Sequence, residues 1–67
     1  MPYINIKVTR EGVSAKQKAA LIQGTTDLVV KILNKDPTTT FVIIEEVATD
    51  NWGVAGETVS ARRLRGH

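Results

Sequence analysis

The feature that most constrains the fold of this chain is the spacing of its apolar residues. The spacing has first the period of a strand, then that of a helix, and then indicates a second strand. Ile4, Ile6 and Val8 alternate with polar residues, which is the period of a half-buried β-strand. From residue 14 to about 33 the apolar residues form two neighbouring rows at helical spacing, Leu21/Leu28/Ile32 and Ile22/Val29/Leu33. A second, strongly apolar strand follows at 41–47. This order predicts a βαβ unit with a right-handed crossover and parallel strands.

Local signals set the limits of these elements. Gly12 suits a turn that requires positive φ, and Ser14 with Gln17 predicts a capping box at the start of the helix. Asn34 is a plausible C-terminal cap, and Pro37 a site for a short helical turn. Turn residues on both sides of a short apolar stretch predict a small hairpin within 50–59. Residues 60–67 are expected to fray at their end.

The length of the chain favours oligomerisation. Sixty-seven residues make one domain, 1–67, and a chain of this size buries only about 60% of its unfolded surface. It has no cysteine, and its one histidine is His67, so disulfides and a metal cluster are not expected. One helix on a two-stranded sheet leaves a face and two edges uncovered. We therefore expect an assembly larger than a dimer.

Composition excludes several classes of partner. A net charge of +2 is too small to indicate nucleic acid, and no apolar run is long enough to cross a membrane. The first residues lack the basic start and apolar middle of a signal peptide, so the default expectation is a cytoplasmic protein.

Pro2 is the leading candidate for chemistry. If Met1 is removed, Pro2 carries a free secondary amine at a fixed place on the edge of a sheet. An ordinary α-amine has a pKa of about 7.7–8.0, and an apolar wall would lower the pKa of the proline amine toward neutrality. A general base works best near the operating pH. The alternative is that a small second residue has no role.

Motifs along nearly the whole chain resemble the 4-oxalocrotonate tautomerase family. They are Met1-Pro2 before an Ile-x-Ile strand, Gln17-Lys18 with Leu21 and Ile22, the strand Ile43-Ile44-Glu45-Glu46, and the segment 52–57, Trp-Gly-Val-Ala-Gly-Glu. The resemblance implies an α+β fold in which βαβ protomers with a C-terminal hairpin pair into four-stranded sheets. It implies a homohexamer, a trimer of dimers, and a cofactor-independent isomerase. In that family an amino-terminal proline, here Pro2, moves a proton on a 2-hydroxydienoate or 2-oxo acid.

The resemblance also identifies where this chain departs from the family. Trp52 falls where members carry an aromatic residue in the wall of the active site, and its other interpretation is a packing anchor at a subunit interface. Two family arginines, which hold the carboxylate and polarise the carbonyl, are replaced here by Val13 and Phe41. Arg10 lies three residues before Val13 and has two interpretations, a carboxylate ligand or a solvated turn residue paired with Glu11. Phe41 would make the site more apolar or pack between subunits.

Other charged residues are expected to be structural. Lys7 is interpreted as a charge on an exposed face. Glu45 and Glu46 point to opposite sides of their strand, and the buried one needs Lys7 or an arginine of the C-terminal segment as a partner. That segment carries three arginines, interpreted as a solubilising tail rather than as substitutes for the missing cations: Arg62, Arg63 and Arg65.

Three functions remain open. The first is the tautomerase, with Pro2 as base, Arg10 or a tail arginine holding the carboxylate, and Trp52 and Phe41 shaping a dry pocket. The second is a Pro2-dependent hydratase or dehalogenase, which also needs a carboxylate to activate water. The third is a non-catalytic oligomeric binding module. A Pro2→Ala variant separates the third from the others.

Overall fold

The computed structural model describes residues 1–66. Its main unit is a strand β1 (Tyr3–Thr9), a helix α1 (Ala15–Leu33) and a second strand β2 (Phe41–Val47). The rest comprises single 3₁₀ turns at Pro37–Thr39 and Thr49–Asn51, strands β3 (Gly53–Val54) and β4 (Glu57–Thr58), and a short helix α2 (Val59–Leu64). β1 and β2 pair in parallel, and β3 and β4 form an antiparallel hairpin. The predicted βαβ unit and C-terminal hairpin are confirmed.

The ends of α1 follow the predicted capping chemistry. The Ser14 hydroxyl accepts from the Gln17 amide at 3.1 Å, and the Gln17 side chain accepts from the Ser14 amide at 2.9 Å. Asn34 ends the helix in the left-handed conformation, at φ 53°. Gly12 has φ +88°, as the turn before the helix requires.

The C-terminal segment is more ordered than expected. The Thr58 side chain accepts from the Ala61 amide at 3.0 Å and caps α2. The sequence did not predict this helix, Val59–Leu64, whereas the expectation of fraying concerns the last residues, of which His67 lies outside the described residues. Six residues are too few to show helical periodicity in a sequence, which is why only the cap could have indicated this helix.

The two faces of the β1–β2 sheet differ in burial. The register places Ile4 beside Val42 and Ile6 beside Ile44, all half-buried on the side that α1 covers. The opposite face carries residues 3, 5 and 7 of β1 beside 41, 43 and 45 of β2, and most of these are exposed.

Glu46, on the covered side, is bound by Lys18 of α1, whose Nζ lies 2.6 Å from its carboxylate. The expected partners of this glutamate, Lys7 or a C-terminal arginine, were wrong because pairing depends on how α1 lies over the sheet.

The described part of a single protomer buries almost no apolar side chains. Within residues 1–66 Val59 is the one buried apolar side chain, at 8% exposure. The radius of gyration is 15.3 Å, against about 11 Å for a compact chain of this length. Large apolar side chains are exposed along α1 and on the uncovered sheet face, including Leu28, Ile32, Leu33, Tyr3, Phe41 and Ile43. So much exposed apolar surface is typical of chains that bury it against other copies.

Candidate active site

Pro2 and Phe41 lie together at one end of the sheet. The Pro2 carbonyl accepts a hydrogen bond from the Phe41 amide at 3.0 Å, which holds the half-buried proline at the start of β1. Met1 before it is 83% exposed. While Met1 is attached, the Pro2 nitrogen is an amide and is not basic. After its removal, the amine would stand at a fixed position because the strand starts at the next residue.

Arg10 and Trp52 lie at the opposite end. The Arg10 amide donates to the carbonyl of Val47, the last residue of β2, at 2.8 Å. Val47 and the half-buried Trp52 line the same depression of about 280 Å³, together with Lys7, Asn51 and Gly53.

Eight residue steps along β1 separate Pro2 from Arg10, or about 26 Å at the rise of a strand. One protomer therefore divides the four predicted site residues between the two ends of the sheet. Pro2 and Phe41 are joined by a hydrogen bond at one end, whereas at the other end Arg10 is hydrogen-bonded to Val47 and Trp52 shares a depression with Val47.

Among the arginines near the C-terminal ends of β1 and β2, Arg10 is the one whose guanidinium is not paired with a carboxylate within residues 1–66. Arg63 binds Glu11 at 2.8 Å, and the Glu57 carboxylate is bound by Arg65 and approached by Arg62 at 3.8 Å. The side chain of Arg10 has no carboxylate partner within residues 1–66. The alternative pairing of Arg10 with Glu11 is thus not observed, and Arg62, Arg63 and Arg65 pair at the surface with carboxylates of the same protomer.

The sequence analysis did not predict a polar cluster on the uncovered sheet face, formed by Asn5, Lys7 and Glu45. The Glu45 carboxylate accepts from Asn5 Nδ2 at 2.7 Å and from Lys7 Nζ at 3.1 Å. The Asn5 hydrogen bond, with the Lys7 hydrogen bond and charge adding to it, holds the pKa of Glu45 below its ordinary value. Lys7 is exposed, as predicted, but it is also paired. Only the strand register, which sets Lys7 beside Glu45, could have indicated this pair.

A second depression of about 460 Å³ lies at the start of α1, lined by Val13, Gln17, Ala20 and Leu21. Val13, one of its lining residues, lies three residues after Arg10 in the sequence.

Within residues 1–66 no three His, Cys, Asp or Glu side chains are arranged as a metal site. No helix of this part of the chain has the length and hydropathy to cross a membrane.

The βαβ protomer with its C-terminal hairpin has the fold of the tautomerases, a class of isomerases. The family model described as "Tautomerase enzyme" matches residues 2–62, so its match begins at Pro2. The chain belongs to the tautomerase family.

Known relatives agree with this assignment. The chain is 57% identical over 63 residues to "Probable tautomerase K2" of Dickeya dadantii, covering 94% of each chain. It is 38% identical over 64 residues to the "2-hydroxymuconate tautomerase" of Comamonas testosteroni, covering 96% of this chain and 97% of that one. The crystal structure of DmpI from Helicobacter pylori superposes with a TM-score of 0.88 at 46% identity, covering 94% of this chain and 97% of that chain. The fold predicted from the sequence is that of 4-oxalocrotonate tautomerase homologues.

Proposed function

We propose that the chain, acting as one domain over 1–67, is a cofactor-independent tautomerase in which the Pro2 amine is the general base. Its reaction is a 1,3-keto–enol proton transfer on a 2-hydroxydienoate or 2-oxo acid. The observation that carries the proposal is the anchoring of Pro2, whose carbonyl is tied to β2. A relative that matches nearly the whole chain bears the name 2-hydroxymuconate tautomerase, which favours this substrate class.

The site requires a second copy of the chain, because the cation and the base lie too far apart in one protomer. In the part of the chain that the structure describes, residues 1–66, β1 is paired with β2 along one edge and with no strand along the other. An exposed free edge is a template for another strand. If two copies pair β1 with β1 antiparallel about a two-fold axis, both helices stay on one side of the resulting four-stranded sheet.

Full overlap of Tyr3–Thr9 in this pairing sets Ile6 on the two-fold axis. Pro2 of one copy then stands opposite Arg10 of the other, at about 5 Å between Cα atoms. Trp52, which shares a depression with Val47, would then lie at the same end of the sheet as this Pro2. The exposed apolar surface of α1 and of the uncovered sheet face supports further association of these dimers, and we propose the homohexamer that the family resemblance implies.

The proposed reaction follows from these placements. Arg10 binds the substrate carboxylate through parallel N–H···O bonds, which fixes the enol beside the amine. Pro2 takes the hydroxyl proton and returns a proton to carbon two atoms along. Trp52 and Phe41 exclude water, which keeps the neutral form of the amine populated.

A cytoplasmic location is part of the proposal and is checked by fractionating cells that express the tagged chain.

The test is ketonisation of 2-hydroxymuconate, followed by ultraviolet absorbance, on protein whose mass confirms loss of Met1. Pro2→Ala should lower the rate by about 10²–10⁴-fold, the usual contribution of a general base. Pro37→Ala is the matched control, since Pro37 is the other proline of the chain and lies in an exposed 3₁₀ turn. Turnover that is equal in the Pro2→Ala and Pro37→Ala variants would refute a proline base, and a chain without any turnover would favour a binding module.

A further inference from the structure

We propose that the polar cluster of Asn5, Lys7 and Glu45 is half of a ring of hydrogen bonds that two copies of the chain close across their paired β1 strands. The ring fixes the register of this pairing and so sets Pro2 of one copy opposite Arg10 of the other. The inference rests on the pairing of copies in the proposed function and adds the side chains that select it. Two observations carry it, the direction of the backbone groups along β1 and an unused acceptor in the cluster.

The odd-numbered residues of β1 direct their backbone groups to the open edge of the sheet. At one end of the strand the Pro2 carbonyl accepts from the Phe41 amide, and at the other the Arg10 amide donates to the Val47 carbonyl. The even-numbered residues of this stretch therefore face β2. Because backbone groups alternate in direction along a strand, the amides and carbonyls of residues 3, 5, 7 and 9 face away from β2. These are the groups that a second β1 would bind.

The proposed pairing sets Asn5 of each copy opposite Lys7 of the other. With Ile6 on the two-fold axis, these two residues exchange backbone hydrogen bonds, at about 5.5 Å between Cα atoms. Residues directly opposite each other in an antiparallel pair point to the same face, so both side chains lie on the uncovered face of the sheet. The cluster of one copy thus adjoins that of the other.

The cluster of one copy has an unused acceptor that the other copy can bind. The Asn5 Nδ2 donates to Glu45 at 2.7 Å and to the Tyr3 hydroxyl at 3.3 Å, whereas the Asn5 side-chain carbonyl accepts no hydrogen bond within residues 1–66. Lys7 donates to the second oxygen of Glu45 at 3.1 Å, and an ammonium group has three donors. Lys7 of the second copy, opposite Asn5, can therefore donate to this carbonyl.

These contacts close a ring around the two-fold axis. Each Lys7 links Glu45 of its own copy to Asn5 of the other copy, and each Asn5 is bound in turn to Glu45 of its own copy. The ring contains two ammonium groups and two carboxylates, so its net charge is zero. Further association of dimers could then bury the uncovered sheet face without leaving an unpaired charge there.

The neighbouring registers lack this ring. A slip of one residue would reverse the faces of one strand, so the nearest alternatives are slips of two residues, which move the axis by one residue. With Lys7 on the axis, the two lysines stand directly opposite each other, which is destabilising. With Asn5 on the axis, Lys7 lies opposite Tyr3. Either slip moves Pro2 away from Arg10 by two residues, or about 7 Å.

A disulfide on the axis measures the register directly. The chain has no cysteine, so Ile6→Cys gives each copy a single thiol. In the proposed register the two Cα atoms at this position are about 4.5 Å apart, within the range of a disulfide. With oxidised glutathione as the oxidant, this variant should form a covalent dimer on a non-reducing gel. Val8→Cys is the matched control and should form little, because its two copies lie roughly 14 Å apart along the strands.

An exchange of the two opposed side chains tests the ring. In the Ile6→Cys background, Lys7→Asn should slow the initial rate of covalent dimer formation by about tenfold or more, because two charged hydrogen bonds are lost. Asn5→Lys should also slow it, because it sets lysines opposite each other. The double variant Asn5→Lys/Lys7→Asn rebuilds the ring with its members exchanged and should recover most of the lost rate. Lys16→Asn changes an exposed lysine of α1 without a carboxylate partner within residues 1–66 and should leave the rate unchanged.

Three results would overturn the inference. They are covalent dimer formation by Val8→Cys as fast as by Ile6→Cys, equal rates for Lys7→Asn and Lys16→Asn, and a double variant no faster than either single variant.

Ketonisation is measured separately, on chains without the added cysteine. Absence of Pro2-dependent turnover in the unchanged chain would overturn the proposed function, while the disulfide rates would still decide the register. With Pro2-dependent turnover present, kcat/KM should fall in Lys7→Asn and return in the double variant, because Pro2 acts beside Arg10 only in the selected register. A kcat/KM that falls in Lys7→Asn and stays low in the double variant would contradict a positioning role for the ring.

Discussion

A site shared between two copies should be restored when two inactive variants are mixed. The perturbation is a pair of single substitutions, Pro2→Ala in one preparation and Arg10→Ala in the other. Each removes one half of the site proposed for the antiparallel β1 pair. In a single protomer these residues lie about 26 Å apart, far beyond the reach of a small enol acid.

The expected recovery follows from the symmetry of the pair. In an isologous dimer, Pro2 of each copy meets Arg10 of the other, so an equal random mixture gives both intact residues in about one quarter of the sites. Pro2→Ala alone should retain about 10⁻²–10⁻⁴ of the activity. Arg10→Ala alone should retain about 1–10%, the usual effect of losing a charged hydrogen bond. The activity that each single variant retains is therefore below the one quarter of full activity expected of the mixture.

The assay unfolds the two variants together in guanidinium, refolds them and measures ketonisation at equal total protein. Native mass spectrometry on chains of distinguishable mass confirms mixing, and variants refolded separately and then combined serve as the control. Activity near one quarter of the unchanged enzyme would support the shared site. Activity that stays at the background in a verified mixture would refute it, because a site within one chain gains nothing from mixing.

Three further predictions concern contacts within the protomer. Lys18→Met should lower the free energy of unfolding by about 1–2 kcal/mol in urea titrations, because half-buried Glu46 loses its 2.6 Å partner. Asn5→Ala should raise the pKa of Glu45 toward its ordinary value, measured by carboxyl NMR, since the Asn5 hydrogen bond is the main cause of the lowered pKa. Because the pKa of Glu45 is lower in the folded chain, its stabilising effect is present above the unfolded pKa and is lost as the pH falls through the folded value. Ala55→Asn should raise the melting temperature, because Ala55 has φ 52°, a conformation that costs about 1–2 kcal/mol for most residues and that Asn adopts more readily.

These three predictions have internal controls. Lys16→Met removes an exposed lysine of the same helix that has no carboxylate partner within residues 1–66, and it should leave stability nearly unchanged. A Glu45 titration that is the same with and without Asn5 would contradict the assigned cause. An Ala55→Asn chain that melts lower would show that the hairpin does not adopt the left-handed conformation in solution.

The sequence by itself determined the elements whose signals are local. The period of the apolar residues predicted β1, α1 and β2, and the Ser14–Gln17 capping box and Asn34 set the ends of α1. These succeed because helix caps and strand alternation depend on residues within a few positions of one another. The family motifs, which keep their order along nearly the whole chain, predicted how these elements are arranged.

Only the tertiary structure decided which distant side chains meet. The partner of Glu46 is Lys18, and that of Glu11 is Arg63, because α1 and α2 bring together residues far apart in sequence. The parallel pairing of two seven-residue strands also places the start of β1 and the end of β2 at opposite ends of the sheet. Pro2 is thereby separated from Trp52, which follows β2, and pairing along the open edge of β1 is the route by which a second copy would complete the proposed site.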